Sequence, residues 1–191
     1  MSKLRVGLAL TGSYCTFEKT MIAAEELCRD YDILPIMSEN ACSTDTRFGR
    51  AADFIERLEK MSGKRVLREI TQVEPIGPKD MLDVLLIAPC TGNTLGKLSS
   101  GITDTCVTMA AKSQLRVNKP VLLAVSTNDA LSGSAVSIGN LLQRKNVYFV
   151  PFYQDDPEKK PASLVSDYSK LRESIELAYQ GHQIQPILAR V

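Results

Sequence analysis

Small polar side chains follow four of the apolar runs in this sequence, at the point where each run ends. The four polar groups are Thr11-Gly12-Ser13, Ser38-Glu39-Asn40, Cys90-Thr91-Gly92-Asn93-Thr94 and Ser126-Thr127-Asn128-Asp129. Hydroxyl and amide groups of this kind can hydrogen-bond a phosphate or the polar edge of a ring. If the apolar runs are parallel strands, their carboxyl ends meet at one edge of a sheet, which is where such sheets bind ligands. The sequence therefore predicts a small-molecule site built from four loops.

The first loop, TGSYCTFEK (11–19), has the composition of a phosphate site. Gly12 permits a positive φ and a close approach of the backbone, and Ser13 and Thr16 offer hydroxyl groups. A helix that begins near Phe17 would direct free N–H groups and the positive end of its dipole at this loop. The alternative is structural, with Thr16 as a helix N-cap and Gly12 as a turn. The glycine patterns of dinucleotide-binding and P-loop proteins are absent.

The third loop follows Pro89 and has two interpretations. Asn93 and Thr94 could contact a ligand, with small residues around them making room. They could instead cap the next helix, with Cys90 as a small buried hydrophobe. The fourth loop, STND (126–129), has the same two interpretations. The presence of four such loops at one edge favours a binding site.

Length and composition favour one cytoplasmic domain. The chain has 191 residues, of which 44% are hydrophobic, so we expect a single domain over residues 1–191. The 23 basic and 22 acidic residues do not form the charge pattern of a nucleic-acid binder or a polybasic membrane anchor. No apolar run approaches the roughly 20 residues that span a bilayer, and the first run is too short for a signal peptide. We expect no nucleic-acid or membrane partner.

The five cysteines, Cys15, Cys28, Cys42, Cys90 and Cys106, form no C-x-x-C pair. This pattern argues against a disulfide framework and a structural zinc site, and it favours a reducing compartment. Cys15 and Cys90 lie in the predicted site loops, where the start of a helix can lower the pKa of a thiol. No partner base can be identified for either thiol. The sequence therefore leaves the catalytic residues unidentified and predicts no metal site.

Apolar runs of strand length alternate with segments of helical period. Strands are predicted at 4–10, 33–37, 84–88, 121–125 and 147–150. Helices are predicted at 17–30, at 47–62 with Phe48 on the buried face, from Thr94 through 118, at about 134–144, and at 163–181 with Gly181 as a C-cap. Residues 153–163, rich in proline and charge, are predicted to form an exposed loop. The alternation predicts a three-layer, doubly wound α/β fold, with a mostly parallel sheet and helices on both faces.

The stretch PCTGNTLGKLSSGITD (89–104) resembles the Pro-Ala-Ser/Thr-x-Asn-Thr-x-x-Lys…Gly-Ile-Ala-Asp signature of a flavoprotein family. This family includes phosphopantothenoylcysteine decarboxylase, the lantibiotic cysteine decarboxylases and the prenyl-FMN synthases. The loop TGSYCTF (11–17) is similar to the family's FMN-phosphate loop. Asn128 falls where the decarboxylases carry the Asn of their Pro-x-Met-Asn motif. The resemblance extends over nearly the whole chain.

The resemblance implies a flavodoxin-like (Rossmann-type) fold and an FMN site shared between subunits of a trimer-based homo-oligomer. It also implies work alongside a second subunit, to which the NADP(H) site is ascribed, in oxidising a dihydropyridine dicarboxylate during sporulation in the mother-cell cytoplasm. Together with the loop argument, it gives the predicted cofactor-binding residues Thr11, Gly12, Ser13, Thr16, Ser38, Pro89, Cys90, Thr91, Asn93, Thr94, Ser126 and Asn128. Lys97, Arg47 and Lys112 are candidate cations for the substrate carboxylates, which the sequence does not rank.

Two departures from the family pattern argue against peptidyl-cysteine decarboxylation. The decarboxylases use a His after the second strand, whereas the only histidine here is His182, predicted to be exposed past the last helix and without a role. The segment STNDALSG also lacks the Pro and Met of the Pro-x-Met-Asn motif.

Three alternatives stay open. The first is a non-catalytic accessory subunit that retains a phosphate or nucleotide site, and the second is an FMN-dependent decarboxylase-like enzyme. The third is an NADP site with Ser38 and Arg47 at the 2′-phosphate, against which the missing glycines count. The segment DDPEKK (155–160) is predicted to be a solvated loop, and the alternative for it is contact with a partner subunit.

Overall fold

A parallel sheet forms the centre of the computed structural model, which describes residues 3–189. The parallel strands are β1 (Arg5–Leu10), β2 (Asp32–Met37), β3 (Val84–Cys90), β4 (Val121–Thr127) and β5 (Val147–Phe149). They lie in the order β2-β1-β3-β4, with β5 beside the first half of β4. All five carboxyl ends therefore point to the same edge of the sheet.

Two short antiparallel strands extend the sheet near the end of β4. They are β6 (Phe152–Tyr153) and β7 (Leu164–Ser166). β7 pairs with β4 through Ser126 opposite Val165, and β6 pairs with β7. Because β5 pairs only with the first half of β4, the second half is free to pair with β7. This pairing brings the segment 154–163 to the edge where β4 ends.

Helices cover both faces of the sheet because each main helix has one apolar side. On one face lie α1 (Phe17–Asp30), α2 (Glu39–Ser43), α3 (Ala51–Ser62) and α8 (Leu171–Tyr179). On the other face lie α4 (Ile70–Val73), α5 (Gly92–Ser99), α6 (Cys106–Arg116) and α7 (Ala135–Leu142). The central strand β3 is buried along its whole length, as expected between two helical layers. The structure confirms the predicted doubly wound, flavodoxin-like fold.

The start of α1 is held in place by aromatic packing. Phe17, the first residue of α1, is fully buried. Its ring meets Phe54 of α3 edge to face, with the ring centroids 5.1 Å apart. Such pairs contribute about 0.5–1.5 kcal/mol beyond their buried area. The loop that precedes Phe17 therefore ends on a rigid element.

The prediction of one helix over 163–181 is wrong in its first part. Residues Leu164–Ser166 form β7, and the helix begins at Leu171 after a turn of 3-10 helix. The antiparallel pairing with β4 determines this conformation, and a pattern read from the sequence does not contain that long-range contact. The helix ends at Tyr179, two residues before the predicted end, with Gln180 as its C-cap, and Gly181 follows with a φ of +83°.

The start of α3 also differs from the prediction of a helix over 47–62. The helix begins at Ala51, because Thr46 and Gly49 exchange two backbone hydrogen bonds and form a tight turn before it. Phe48 lies in this turn and is 45% exposed. It is therefore not part of the buried face to which the pattern assigned it.

The helical region predicted from Thr94 through 118 consists of two helices, α5 and α6. α5 begins at Gly92, two residues earlier than predicted, with Thr91 as its N-cap. Gly101, with a φ of +72°, follows the end of α5. α6 begins at Cys106 with Thr105 as its N-cap.

The cysteines are free thiols, as their spacing predicted. Burial raises the pKa of Cys42 to about 11 and that of Cys106 to about 12. Within residues 3–189, no helix combines the length and apolar character that crossing a bilayer requires.

Candidate functional site

A cleft opens at the carboxyl edge of the sheet, between the ends of β1, β3 and β4 and the segment before β7. Its volume is about 460 Å³, within the range of roughly 300–1,000 Å³ that is usual for small-molecule sites. Five predicted cofactor-binding residues line it: Gly12, Ser13, Thr91, Ser126 and Asn128. Three of the four predicted loops are therefore brought together.

Three hydroxyl groups meet at the inner end of this cleft. Ser13 Oγ lies 2.9 Å from Ser126 Oγ and 3.1 Å from Thr16 Oγ1. Thr16 Oγ1 lies 2.8 Å from Ser126 Oγ, which closes the triangle. Ser13 is half-buried and Ser126 is buried, and both line the cleft. Thr16 is buried behind them. We call Ser13, Thr16 and Ser126 the hydroxyl cluster.

Helix capping does not account for the hydroxyl cluster. Thr16 occupies the N-cap position of α1 and Ser13 the N-cap position of the preceding 3-10 turn, but neither side chain accepts a hydrogen bond from a helix N–H group. The hydroxyl groups instead bond one another and Ser126. The first N–H groups of a helix lack intrahelical acceptors, and the dipole makes this end positive. The arrangement suits an anion with several oxygen atoms.

Gly12 differs from its prediction in one respect. Its φ is not positive, so the backbone conformation does not require glycine here. A Cβ atom at this position would lie 3.7 Å from the ring of Tyr14, an ordinary contact distance. What glycine provides at position 12 is a smaller surface at the wall of the cleft.

Thr11, Pro89 and Cys90 lie beneath the cleft and not in its lining. Thr11 Oγ1 donates to Pro89 O at 2.7 Å and accepts from Thr91 N at 3.1 Å, which ties the ends of β1 and β3 together. Cys90 is fully buried at the end of β3. Burial raises the pKa of its thiol, so the idea of a Cys90 activated by a helix start is wrong.

The N-cap of α5 is Thr91, and not Asn93 or Thr94. Thr91 Oγ1 accepts from Thr94 N at 3.3 Å, and the Thr94 side chain is buried beside it. Asn93 is exposed in the first turn of the helix. A contact between Asn93 and a ligand stays a prediction.

Asp129 orders the loop that follows β4. Its carboxylate accepts from Thr127 Oγ1 at 2.6 Å and from Ser134 Oγ at 3.0 Å. Ser134, and not Asn128 or Asp129, is the N-cap of α7. Asn128 is exposed on this loop and lines the cleft. The N-cap interpretation of the fourth loop is therefore wrong.

Ser38 does not line the cleft. Its side chain caps α2 by accepting from Ala41 N at 3.4 Å, and its own N–H donates to Leu10 O at 2.9 Å. Arg47, by contrast, lines the cleft. The pairing of Ser38 with Arg47 at one phosphate therefore has no support in the geometry.

Sequence reasoning missed four residues of the lining, which lie on three segments of the chain. Tyr14 and Phe48 contribute aromatic surface, and Asp155 and Lys160 contribute charges. Asp155 and Lys160 belong to the charged segment predicted as a solvated loop, which the pairing of β7 with β4 carries to the cleft. The charge-rich composition of that segment gave no signal of this position.

The three residues predicted as candidate cations for the substrate carboxylates lie at different places in the structure. Lys97 pairs with Asp104, with 2.7 Å between Nζ and Oδ1. Lys112 lines a different cleft, beside Leu115 and Ile102. Only Arg47 of the three lines the cleft at the carboxyl edge. His182 is exposed past the end of α8, as predicted.

Comparison with known proteins places the chain in a family. Residues 1–170 match the model of the family described as Flavoprotein. The chain is 44% identical over 185 residues to the B subunit of dipicolinate synthase from Bacillus subtilis (strain 168), covering 96% of this chain and 92% of that protein.

Solved structures agree with the sequence comparison. The B subunit of dipicolinate synthase from Bacillus halodurans C superposes with a TM-score of 0.90 at 39% identity, over 100% of this chain and 99% of that one. The FMN binding protein AtHal3 superposes with a TM-score of 0.68 at 17% identity, over 95% and 100%, which shows a shared fold. The chain therefore belongs to the flavoprotein family, and within it to the group formed by the B subunits of dipicolinate synthase.

Proposed function

We propose that the cleft at the carboxyl edge binds FMN, with the phosphate group at the hydroxyl cluster. The observation that carries this proposal is the triangle of Ser13, Thr16 and Ser126, whose hydroxyl groups cap no helix. A phosphate has several acceptor oxygens, and hydroxyl groups beside a helix start satisfy them without a cation. The family and its FMN-binding structural relatives support a flavin as the group that carries this phosphate.

The predicted cofactor-binding residues divide into three roles under this proposal. Ser13, Thr16 and Ser126 hold the phosphate, with Gly12 leaving room beside it. Thr91 and Asn128 contact the remainder of the cofactor. The others, which lie outside the cleft lining, act by positioning these loops or through a neighbouring subunit: Thr11, Ser38, Pro89, Cys90, Asn93 and Thr94.

We further propose that this single-domain chain acts as the B subunit of a dipicolinate synthase. Oxidation of a dihydropyridine-2,6-dicarboxylate to the aromatic pyridine removes two electrons and two protons. A bound flavin would supply the acceptor for the hydride equivalent. The residues of this chain bind and orient the dicarboxylate and exclude water from it. Because the relatives are named as B subunits, we also propose a partner, the A subunit of dipicolinate synthase, to which we assign NADP(H).

The setting of this function is also part of the proposal. We place the protein in the cytoplasm of the mother cell of a spore-forming bacterium, in a trimer-based homo-oligomer. The free thiols fit a reducing compartment. An FMN-dependent decarboxylase is less well supported, because His182 is the only histidine of the sequence and it is exposed beyond α8.

Reconstitution tests the proposed function. Purified chain is mixed with FMN, the partner A subunit, NADP⁺ as the terminal two-electron oxidant and a dihydropyridine-2,6-dicarboxylate, and the ultraviolet absorbance of the aromatic product is followed. We expect product to form much faster with this chain than with the partner alone. Equal rates with and without this chain would overturn the catalytic assignment and favour the accessory role. A Ser13→Ala/Thr16→Ala variant should give a slow rate that excess FMN restores.

A further inference from the structure

We infer that Arg47 and Lys160 hold the two carboxylates of an aromatic dicarboxylate between two loops of the cleft. The inference rests on the proposed function and names the residues that select its substrate. Arg47 precedes α3, and Lys160 lies in the segment before β7. Both side chains line the same cleft as the hydroxyl cluster.

Arg47 is arranged as an anion receptor. Its guanidinium carbon lies 4.8 Å from the centroid of the Phe48 ring, so the planar group rests on an aromatic surface. Among the ion pairs of residues 3–189, none includes Arg47, whereas Arg50, three residues later, pairs with Asp53 at 2.7 Å. A guanidinium group stacked on a ring keeps its N–H edge free for a bidentate carboxylate.

Phe48 adds the second part of the recognition. The residue is 45% exposed and lines the cleft beside Arg47. An exposed aromatic ring beside a cation can stack on a planar heteroaromatic ring. The cleft therefore offers an aromatic surface next to a cation, which matches the two parts of a pyridine carboxylate.

Lys160 supplies the second cation from the other loop. Its Nζ lies 2.9 Å from Oδ2 of Asp155, which also lines the cleft. An ammonium group has three donors, so one bond to Asp155 leaves two for a substrate carboxylate. The backbone of Lys160 is fixed in the turn, because its backbone N–H donates to the backbone carbonyl of Asp156 at 2.8 Å.

The carboxylate of Asp155 allows the proposed charge arrangement to be tested by the direction in which dicarboxylate affinity changes. Asp155 repels an anion in the cleft, and Lys160 offsets that repulsion. Arg47, Lys160 and Asp155 together carry one net positive charge before a ligand enters. Removal of the Asp155 charge should therefore strengthen dicarboxylate binding, whereas removal of either cation should weaken it.

Calorimetry with dipicolinate (pyridine-2,6-dicarboxylate) and picolinate (pyridine-2-carboxylate) tests the inference, on protein with and without FMN. We expect Arg47→Gln and Lys160→Gln each to weaken dipicolinate binding about tenfold or more, and Asp155→Asn to strengthen it. Arg47→Lys should retain part of the affinity. Arg47→Gln and Lys160→Gln should each also reduce the ratio of dipicolinate affinity to picolinate affinity. Arg50→Gln, a neighbouring arginine outside the cleft, is the matched control and should bind like wild type.

Three results would overturn the inference. They are no dipicolinate binding by wild type, unchanged dipicolinate affinity in Arg47→Gln, and unchanged dipicolinate affinity in Lys160→Gln. If FMN fails to bind wild type while dipicolinate binding depends on Arg47 and Lys160, the inference stands and the FMN proposal fails. The two ideas are therefore tested separately.

Discussion

Replacing Gly92 with Ala should destabilise the protein, because the first turn of α5 touches the loop that follows β4. A Cβ atom at position 92 would lie 2.5 Å from Ser134 Oγ, 2.7 Å from Asp129 Oδ1 and 2.8 Å from Thr127 Oγ1. None of these distances leaves room for a carbon atom. The added methyl group must displace the network that holds the loop carrying Asn128.

The size of the effect follows from the hydrogen bonds at risk. Thr127 and Ser134 donate to the Asp129 carboxylate at 2.6 Å and 3.0 Å. A hydrogen bond to a charged group contributes roughly 1.5–3 kcal/mol, so losing one of the two costs about that amount. Alanine returns up to about 1 kcal/mol through helix propensity. We expect a net loss of about 2 kcal/mol in the free energy of unfolding, or roughly 4–8 °C in Tm.

Urea unfolding of ligand-free protein measures this loss, with Gly139→Ala as the matched control. Gly139 lies in α7, and a Cβ atom there would meet no atom within 4 Å. Gly139→Ala should therefore leave stability unchanged or raise it by up to about 1 kcal/mol. A Gly92→Ala variant as stable as wild type would refute the close packing of α5 on this loop.

Three further predictions concern stability, the cofactor and assembly. Hydrogen bonds from Arg5 hold the pKa of Asp83 at about 2, against 3.8 ordinarily. The ionised carboxylate therefore stabilises the fold above pH 4. About 2 kcal/mol of the free energy of unfolding is lost as the pH falls from about 4 to 2 and the carboxylate is protonated. The stability difference between wild type and Asp83→Asn in urea unfolding should shrink over that window, and a difference independent of pH would contradict this. Asn93→Asp should leave the Tm of ligand-free protein within a few degrees of wild type but lower FMN affinity about tenfold, ~1.4 kcal/mol, by calorimetry. Equal FMN affinity would remove Asn93 from the site. Light scattering of the chain alone should show a trimer-based oligomer, and a monomer at tens of micromolar would argue against it.

Much of the fold was predictable because its main strands are buried on both faces and read as continuous apolar runs. The run that became β3 is an example, since all its residues are buried. The helix predicted over 163–181 failed where residues 164–166 pair with the end of β4. That conformation depends on a partner strand far away in the chain, which local periodicity does not encode.

In the candidate site, too, the features set by local pattern were predictable and those set by long-range contacts were not. Ser13 and Ser126 were predicted because each follows a predicted strand, and parallel strand ends must meet at one edge. Their direct contact across 113 positions of sequence is a result of the fold. Lys160 and Phe48 were missed, because a charged loop and an amphipathic helix were the simpler interpretations of their surroundings. Both reach the cleft through local turns and long-range pairing.

The most direct test of the central claim compares FMN with riboflavin, which lacks the phosphate, in fluorescence titrations of the purified chain. If the hydroxyl cluster holds the phosphate, wild type should bind FMN at least about tenfold more tightly than riboflavin. Ser13→Ala/Thr16→Ala should reduce this preference towards one and leave riboflavin affinity unchanged. Ser43→Ala, which removes an exposed hydroxyl outside the cleft, should preserve it. Wild type that binds neither flavin, or a double variant that retains the full preference for FMN, would contradict the account.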